Sequence, residues 1–296
     1  MKIVKKTHTV PHGIEKSRLD KYVLDAFDIF HTRKSVRKAI KRGEIRVNEE
    51  ISEPFKRIEP GEKLQVIYMP ENKPKAFKLP LRIIYEDDWL AIIEKPPGYP
   101  VNGNKYKTIE NALQYNLEDS PLPDALKWPR PVHRLDSNTG GLLLVAKTSG
   151  AQVDLGRQFQ ERTIQKRYRA IVIGKLENYG TIKENLDGRE TITHFSAVQH
   201  IPSLRNKCLT LLDLWPVTGR QHQIRRHLLN LGFPVLGDKI YGKEGTILTG
   251  KGLFLWAVEI SFLHPGMKWI IKSQVKEADK FQSMLAREER RWKKYN

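Results

Sequence analysis

His133-Arg134-Leu135-Asp136-Ser137-Asn138-Thr139-Gly140-Gly141 runs without a break into Leu142-Leu143-Leu144-Val145-Ala146-Lys147. The second half has the length and content of a buried strand with glycines at its mouth. The first half delivers a carboxylate, Asp136, to the edge of that element, two residues after an arginine. A carboxylate in such a place is costly to desolvate unless something nearby is paired with it. From this segment alone two readings stay open: a solvated loop acid that caps the turn, or a paired acid with chemistry to perform.

The chain around it has 296 residues, room for one large domain and a small one. It carries 52 Lys+Arg against 34 Asp+Glu, a formal net charge of +18. Such a surplus attracts polyanions over long range and releases counterions when phosphates are neutralised. RNA, DNA and an anionic membrane would each satisfy it, as would a basic but passive surface. Cys208 is the only cysteine, which excludes an intrachain disulfide framework and a cysteine-based zinc site. No apolar segment follows the charged stretch Met1–Lys6, and no window has the apolar length of a membrane helix. The expectation is a soluble, cytoplasmic protein with no secretory signal and no membrane partner.

Ser17-Arg18-Leu19-Asp20 has the form of a capping box with Ser17 as N-cap. Leu19, Tyr22, Val23, Ala26, Phe27 and Phe30 follow at spacings of three and four, one apolar helical face. A second helix is expected to begin after Thr32 and to stop at Gly43. On it Arg33, Arg37 and Lys41 form one line and Lys34, Lys38 and Arg42 the next, with no acid between Thr32 and Gly43. Like charges so close repel, and a phosphate backbone along that face would remove the penalty; an ordinary solvated face is the alternative. Glu44–Asn48 and Lys63–Tyr68 alternate as strands do. Pro70 to Pro80 has three prolines and three lysines, which predicts an extended linker over 71–80 between a small basic domain (1–70) and a larger one (81–296).

Beyond the linker, Ile83–Tyr85 and Trp89–Ile93 read as strands split by an Asp87-Asp88 turn. Pro121 to Pro131 contains four prolines and reads as a surface loop leading into the opening motif. An amphipathic helix is expected over Gln152–Glu161, with Val153, Leu155 and Phe159 as its apolar contacts. Lys166–Ile173 and Lys207–Trp215 predict strands, and Gln221–Leu231 predicts a helix stopped by Gly232 and Pro234. Val275–Trp292 reads as a charged surface helix.

Four of these segments together resemble the RluA-type pseudouridine synthases, in order, from about Ile83 to Pro265. They are the opening motif, Lys166-Arg167-Tyr168-Arg169-Ala170, the stretch Thr218–Arg225 with Leu231–Asp238, and Leu253–Ala257 with His264-Pro265. Three positions depart from the family pattern: Gly140 stands where Ser is usual, Gln221 where Thr is usual, and Trp256 where His is usual. Ile14 to Tyr68 resembles the small RNA-binding domain named after ribosomal protein S-four.

The resemblance implies an α+β fold. Its catalytic domain would be a mixed, mainly antiparallel sheet flanked by helices and loops around a central RNA cleft. A small N-terminal α+β RNA-binding domain would precede it. It implies isomerisation of uridine to pseudouridine in ribosomal or transfer RNA, with base flipping and no metal, redox or nucleotide cofactor. Asp136 would be the nucleophile or base. Arg225 would be its ion-pair partner, Tyr168 would stack on the extruded base, Arg134 would occupy the gap that base leaves, and Leu255 would wall the pocket. Apart from the family pattern, Arg225 reads as a phosphate contact or helix-surface charge, Tyr168 and Leu255 as core, and Arg134 as a surface cation. The chain is read as a monomer. A non-catalytic RNA-binding or ribosome-assembly protein on the same scaffold is the rival, left open by Gly140, Gln221 and Trp256. A DNA-binding regulator explains none of the larger domain. Gly245–Gly252 approaches a phosphate-binding loop but has Gly252 where Ser or Thr must hold magnesium. His222 and His227 do not share a helical face, which argues against a zinc hydrolase.

Overall fold

A computed structural model describes residues 3–14, 17–30, 32–68, 75–176, 178–242 and 250–296. The apolar run of the opening motif is β8 (Gly140–Thr148), a strand buried at every residue. Burial on both faces is why it lacks the alternation of a half-exposed strand. On one side it pairs antiparallel with β6 (Leu90–Lys95). At its mouth it meets β13 (Leu255–Leu263) in a short parallel junction, Trp256 opposite Gly140 and Ala257 opposite Gly141. Gly141 has φ +109°, and a Cβ there would overlap the backbone of Ala257. Only glycine allows the two chains to approach this closely.

Around that junction the chain lays out β5 (Arg82–Glu86), α3 (Ile109–Asn116), β7 (Ala125–Pro131), α4 (Ser149–Gln160), β9 (Gln165–Ile173), β10 (Tyr179–Leu186), β11 (Arg189–Ser203), β12 (Lys207–Pro216), α5 (Gln223–Asn230), β14 (Ile270–Gln274) and α6 (Lys280–Tyr295). The ten-stranded sheet runs β10-β11-β12-β9-β13-β8-β6-β5, with β14 beside β13 and β7 beside β8. Among the described strands the β8–β13 junction is its parallel pairing, so the sheet is mixed and mainly antiparallel. Helices and loops flank it, and the class is α+β.

The first residues form a separate four-stranded sheet, β1-β4-β2-β3, from β1 (Ile3–Thr9), β2 (Ile45–Val47), β3 (Glu50–Ile51) and β4 (Lys63–Tyr68). With α1 (Leu19–Ala26) and α2 (Arg33–Lys41) it encloses an apolar cluster drawn entirely from residues between Val10 and Val66. Thr32 caps α2 by accepting from Ser35 N, and Gly43 follows it with φ +69°. Lys127 Nζ reaches Glu44 Oε1 at 2.7 Å, and Ser149 Oγ donates to Ile29 O at 3.0 Å, so this unit touches the larger sheet's flank. Residues 71–74 of the expected linker, and 245–249 of the near-phosphate-loop segment, lie outside the described residues.

Several local expectations are corrected. Ser17 is not the N-cap of α1: Arg18 holds that place without a side-chain cap, and Asp20 is buried in ion pairs instead. The proline-rich segment before the motif is not all loop, because β7 pairs with β8 along an irregular ladder. Proline is compatible with such a strand where its missing N–H faces no partner. The helix expected from Gln152 starts three residues earlier, at Ser149, capped by Thr148, and Val153 lies on its exposed side. α5 begins at Gln223, not Gln221, because His222 adopts a left-handed conformation. β10 and β11 add a hairpin to the expected strands, with Asp187-Gly188, a strong turn signal, at its tip. α6 is more than a surface helix, since Phe281, Met284 and Leu285 bury one of its faces. Among the described residues no helix is long and apolar enough to cross a membrane.

Candidate active site

Three elements bring distant residues to one cleft of about 440 Å³. The β7–β8 loop contributes Arg134 and Asp136, β9 contributes Tyr168, and α5 with the turn before it contributes His222 and Arg225. Leu255, at the start of β13, is buried and forms part of the wall. Arg134 is exposed at the rim.

Asp136 is held from two directions. Below it, Lys95 is fully buried at the end of β6, and its Nζ donates to Pro96 O, Ser137 O and Thr139 O at 3.0, 3.0 and 2.9 Å. Gly98 N also donates to Ser137 O, and Thr139 N closes a turn onto Asp136 O. The loop backbone is thereby tied down by one ammonium whose three donors are all used. Burial pulls the Lys95 amine down to about 7, with the Asp136 charge pulling the other way. From the opposite side, Arg225 Nη1 donates to Asp136 Oδ2 at 3.1 Å. The same guanidinium makes a bidentate pair with Asp238, Nε to Oδ2 at 2.7 Å and Nη2 to Oδ1 at 2.8 Å.

Asp238 is completely buried. Burial raises its carboxyl, but Arg225 and the backbone N–H groups of Tyr241 and Ile240 outweigh that and hold it below the usual range. The order is therefore acid, guanidinium, acid. The inner acid aims the arginine, and the outer acid, Asp136, keeps a quarter of its side-chain surface open to the cleft. Tyr168 lies beside it, opposite Leu214 and Ala257 in the sheet. Burial first, and then the Asp136 charge, push its phenol well above the ordinary value, so the ring presents a neutral hydroxyl at physiological pH.

The turn that carries His222 is braced by Gln223. Its Oε1 accepts from Thr218 Oγ1 and Arg220 N, and its Nε2 donates to Ile192 O and Thr193 Oγ1. His227, buried on α5, bonds Thr191 and Thr193 through its two ring nitrogens and takes no part in the cleft. His133 accepts from Leu144 N at 3.0 Å, and burial brings its imidazole down to about 3, so it is neutral and structural.

The departures at Gly140 and Trp256 are one feature. A Cβ built on Gly140 would overlap the six-membered ring of Trp256, so the larger side chain occupies the space the glycine leaves. Gln221, the third departure, lines the cleft.

On α2 the basic lines are less repulsive than their spacing implied. Arg37 Nε reaches the buried Asp20 at 2.6 Å, and Arg42 makes two 2.7 Å bonds to Glu44. Those acids come from outside the helix, where no pattern within it could show them. Arg33, Lys34, Lys38 and Lys41 remain exposed. Lys34, Lys38 and Arg42 face Lys127 and Arg130 across a groove of about 560 Å³. Arg33, Arg37 and Lys41 line neither this groove nor the cleft that holds Asp136.

The sequence analysis gives no site role to Lys95, Asp238, His222 or Tyr241. Lys95 had a signal, a lone cation closing the apolar run Leu90–Ile93. Asp238 follows Gly237 directly after the apolar stretch Phe233–Leu236, another position where an acid needs a partner.

Comparison with known proteins bears on this geometry. Residues 89–230 match the family model described as RNA pseudouridylate synthase. A protein named as an uncharacterized RNA pseudouridine synthase from Aquifex aeolicus is 34% identical, over 92% of this chain and 94% of its own. Ribosomal large subunit pseudouridine synthase D from Nitrosomonas europaea is 39% identical, over 70% of this chain and 66% of its own. The solved structure of human RNA pseudouridylate synthase domain containing 4 shares the fold, with a TM-score of 0.54 and 21% identity over 71% of this chain and 93% of that one. A chain matched this far along its length, with the matched region spanning Asp136, Tyr168 and Arg225, belongs to the RluA-type family of RNA pseudouridine synthases and is an isomerase acting on RNA.

Proposed function

We propose that Asp136 is the essential residue of this pseudouridine synthase, acting as nucleophile or base toward one everted uridine. The observation that carries this reading is the ion chain Asp136–Arg225–Asp238, which aims a partly open carboxylate into the cleft. No other acid lines that cleft among the described residues. Its volume suits an extruded base and not a duplex. Tyr168 stacks on that base and offers its hydroxyl, Leu255 walls the pocket, and Arg134 at the rim fills the vacated place in the RNA. Lys95 holds the Asp136 loop. The reaction needs no metal, redox group or nucleotide cofactor: the N1–C1′ bond breaks, uracil turns, C5 bonds to C1′, and the proton lost from C5 is balanced by one gained at N1.

The substrate is ribosomal or transfer RNA, and the name of the Nitrosomonas relative favours the large ribosomal subunit. Residues 1–70 are a small RNA-binding domain like that of ribosomal protein S-four, residues 71–80 a linker, and residues 81–296 the catalytic domain. Arg33, Lys34, Arg37, Lys38, Lys41 and Arg42 on α2 form its phosphate-facing side, with Arg37 and Arg42 anchored by their acids. Tethering this surface to the cleft raises the local concentration of target RNA. The protein acts as a monomer in the cytoplasm.

The test is chemical mapping of pseudouridine in total RNA from cells with and without the gene, then complementation. Wild type should restore the missing sites. Asp136→Asn and Asp136→Ala should restore none while the purified variants still bind RNA. A restored site in either variant refutes the reading.

A further inference from the structure

The two oxygens of Asp136 are not equivalent. Oδ2 accepts from Arg225 Nη1 at 3.1 Å, and the rest of that guanidinium is spent on Asp238. Among the described residues no hydrogen bond reaches Oδ1. The group facing it is His222, whose Nε2 lies 3.8 Å away on the cleft lining. The other ring nitrogen, Nδ1, is 3.0 Å from the hydroxyl of Tyr241. Tyr241 is itself fixed, since its backbone N–H donates to Asp238 Oδ1 at 3.0 Å and its ring lies 5.0 Å from the Arg225 guanidinium carbon. Asp238 thus organises both groups that approach Asp136.

His222 reaches this place through an unusual backbone. It sits before α5 with φ 54° and ψ 23°, and its side chain caps nothing. A side chain in a strained left-handed conformation that serves no local bond points to a role elsewhere. A neutral imidazole carries one N–H. Beside a carboxylate the proton belongs on Nε2, which leaves Nδ1 to accept from the Tyr241 hydroxyl.

We infer that His222, steered by Tyr241, is a positioning residue that directs Nε2–H at Oδ1 of Asp136 and fixes the direction in which that oxygen meets the nucleoside. The inference rests on Asp136 being the reacting carboxylate. Arg225 immobilises one oxygen, and His222 orients the other without locking it. The 3.8 Å gap closes to a hydrogen bond once the substrate fills the cleft, as long catalytic contacts in empty sites do.

The experiment uses the full-length protein and total RNA from cells lacking the gene. Single-turnover rates of pseudouridine formation are measured at saturating enzyme, and retention of the same RNA on filters reports binding. His222→Leu should slow the rate about 10- to 100-fold, the scale of misplacing a reacting group by an ångström, with RNA binding unchanged. His222→Gln, which can place an amide N–H where Nε2 stood, should keep most of the rate. Tyr241→Phe should slow the wild-type background but add nothing to His222→Leu, since the two act through one contact. Asp136→Asn is measured alongside. If Asp136→Asn is dead and His222→Leu runs at full rate, the inference falls and the role of Asp136 stands. If Asp136→Asn turns over, both fall. A His222→Gln variant as slow as His222→Leu, with an unchanged melting curve, overturns the donor role, and so does strict additivity with Tyr241→Phe.

Discussion

The cleft floor and the exposed face of α2 both concentrate charge, but they do it under different physical constraints. In the cleft, Arg225 and Asp238 are almost completely buried, and Asp136 three-quarters so. There each charge needs a partner, and the partners come from the β7–β8 loop, α5 and the turn after it. On α2 the solvent already screens the cations, and the lines at i and i+4 arise from one short stretch of chain. Burial makes the first array expensive to disturb and rigid. Exposure makes the second tolerant of substitution and available to a polyanion.

The largest effect should come from breaking the first array. Arg225→Met keeps the volume but leaves Asp238 fully buried and Asp136 three-quarters buried without their cation. Breaking a buried pair from one side costs about 3–5 kcal/mol, so the denaturation midpoint should fall steeply and turnover should vanish with it. On α2, Lys34→Ala with Lys38→Ala should change stability by less than about 0.5 kcal/mol, as surface changes do. If the two variants destabilise equally, the contrast between the arrays is false.

The junction beside the cleft sharpens the same point with an uncharged pair. Gly140→Ser forces a side chain into the ring of Trp256 and should cost about 1–3 kcal/mol as overpacking. Trp256→His removes that ring and should cost about 3–5 kcal/mol through the cavity it leaves. The double variant should cost much less than the sum, and a double-mutant cycle on thermal unfolding measures the coupling. Additive costs would mean that the two positions do not share one space.

What could be read from the chain beforehand follows the same division. α2 and its cap at Thr32, the buried strand β8, and the order of the motif-bearing segments are local patterns, and local patterns are legible. Arg225 as the partner of Asp136 came from the family pattern, since the two are 89 positions apart and nothing in their spacing links them. Asp238, Lys95 and Tyr241 carry no local pattern that names their partners, because their importance lies in what they touch. The Gly140 and Trp256 departures are 116 positions apart in sequence, and only the parallel register of β8 and β13 makes them one contact. Asp20 fits a capping box in sequence and a buried ion pair in the fold, because the two can share the same letters.

If α2 docks on RNA, removing Lys34 and Lys38 should weaken binding uniformly across sequences and lower the slope of log K against log salt by about two. The single-turnover rate at saturating enzyme should stay unchanged. An unaltered salt slope would make α2 an ordinary solvated face. The binding of RNA to the cleft variants should show the reverse, a lost rate with an unchanged slope.

Asp20 is the place where the N-terminal unit follows the rule of the cleft, and it yields the smallest prediction. Its carboxylate is fully buried, with Arg18 at 2.8 Å and Arg37 at 2.6 Å. Arg18 first, and then Arg37, hold it at about 2, against the opposing pull of burial. The folded value is lower than the unfolded one, so folding is favoured by the ionised form. That stabilisation is complete above the ordinary carboxylate value near 3.8 and is lost as pH falls from there toward 2. Both arginines are more than a third exposed, so solvent screening reduces the contribution to about 1–2 kcal/mol at most. Asp20→Asn should remove this slope from the acid limb of amide exchange in α1 and α2, and should converge with wild type below about pH 2. The exchange of α5, anchored on Asp238, should be untouched by the substitution. An acid limb that survives Asp20→Asn unchanged would place the N-terminal unit's acid sensitivity in its other carboxylates and leave Asp20 a buried acid without linkage.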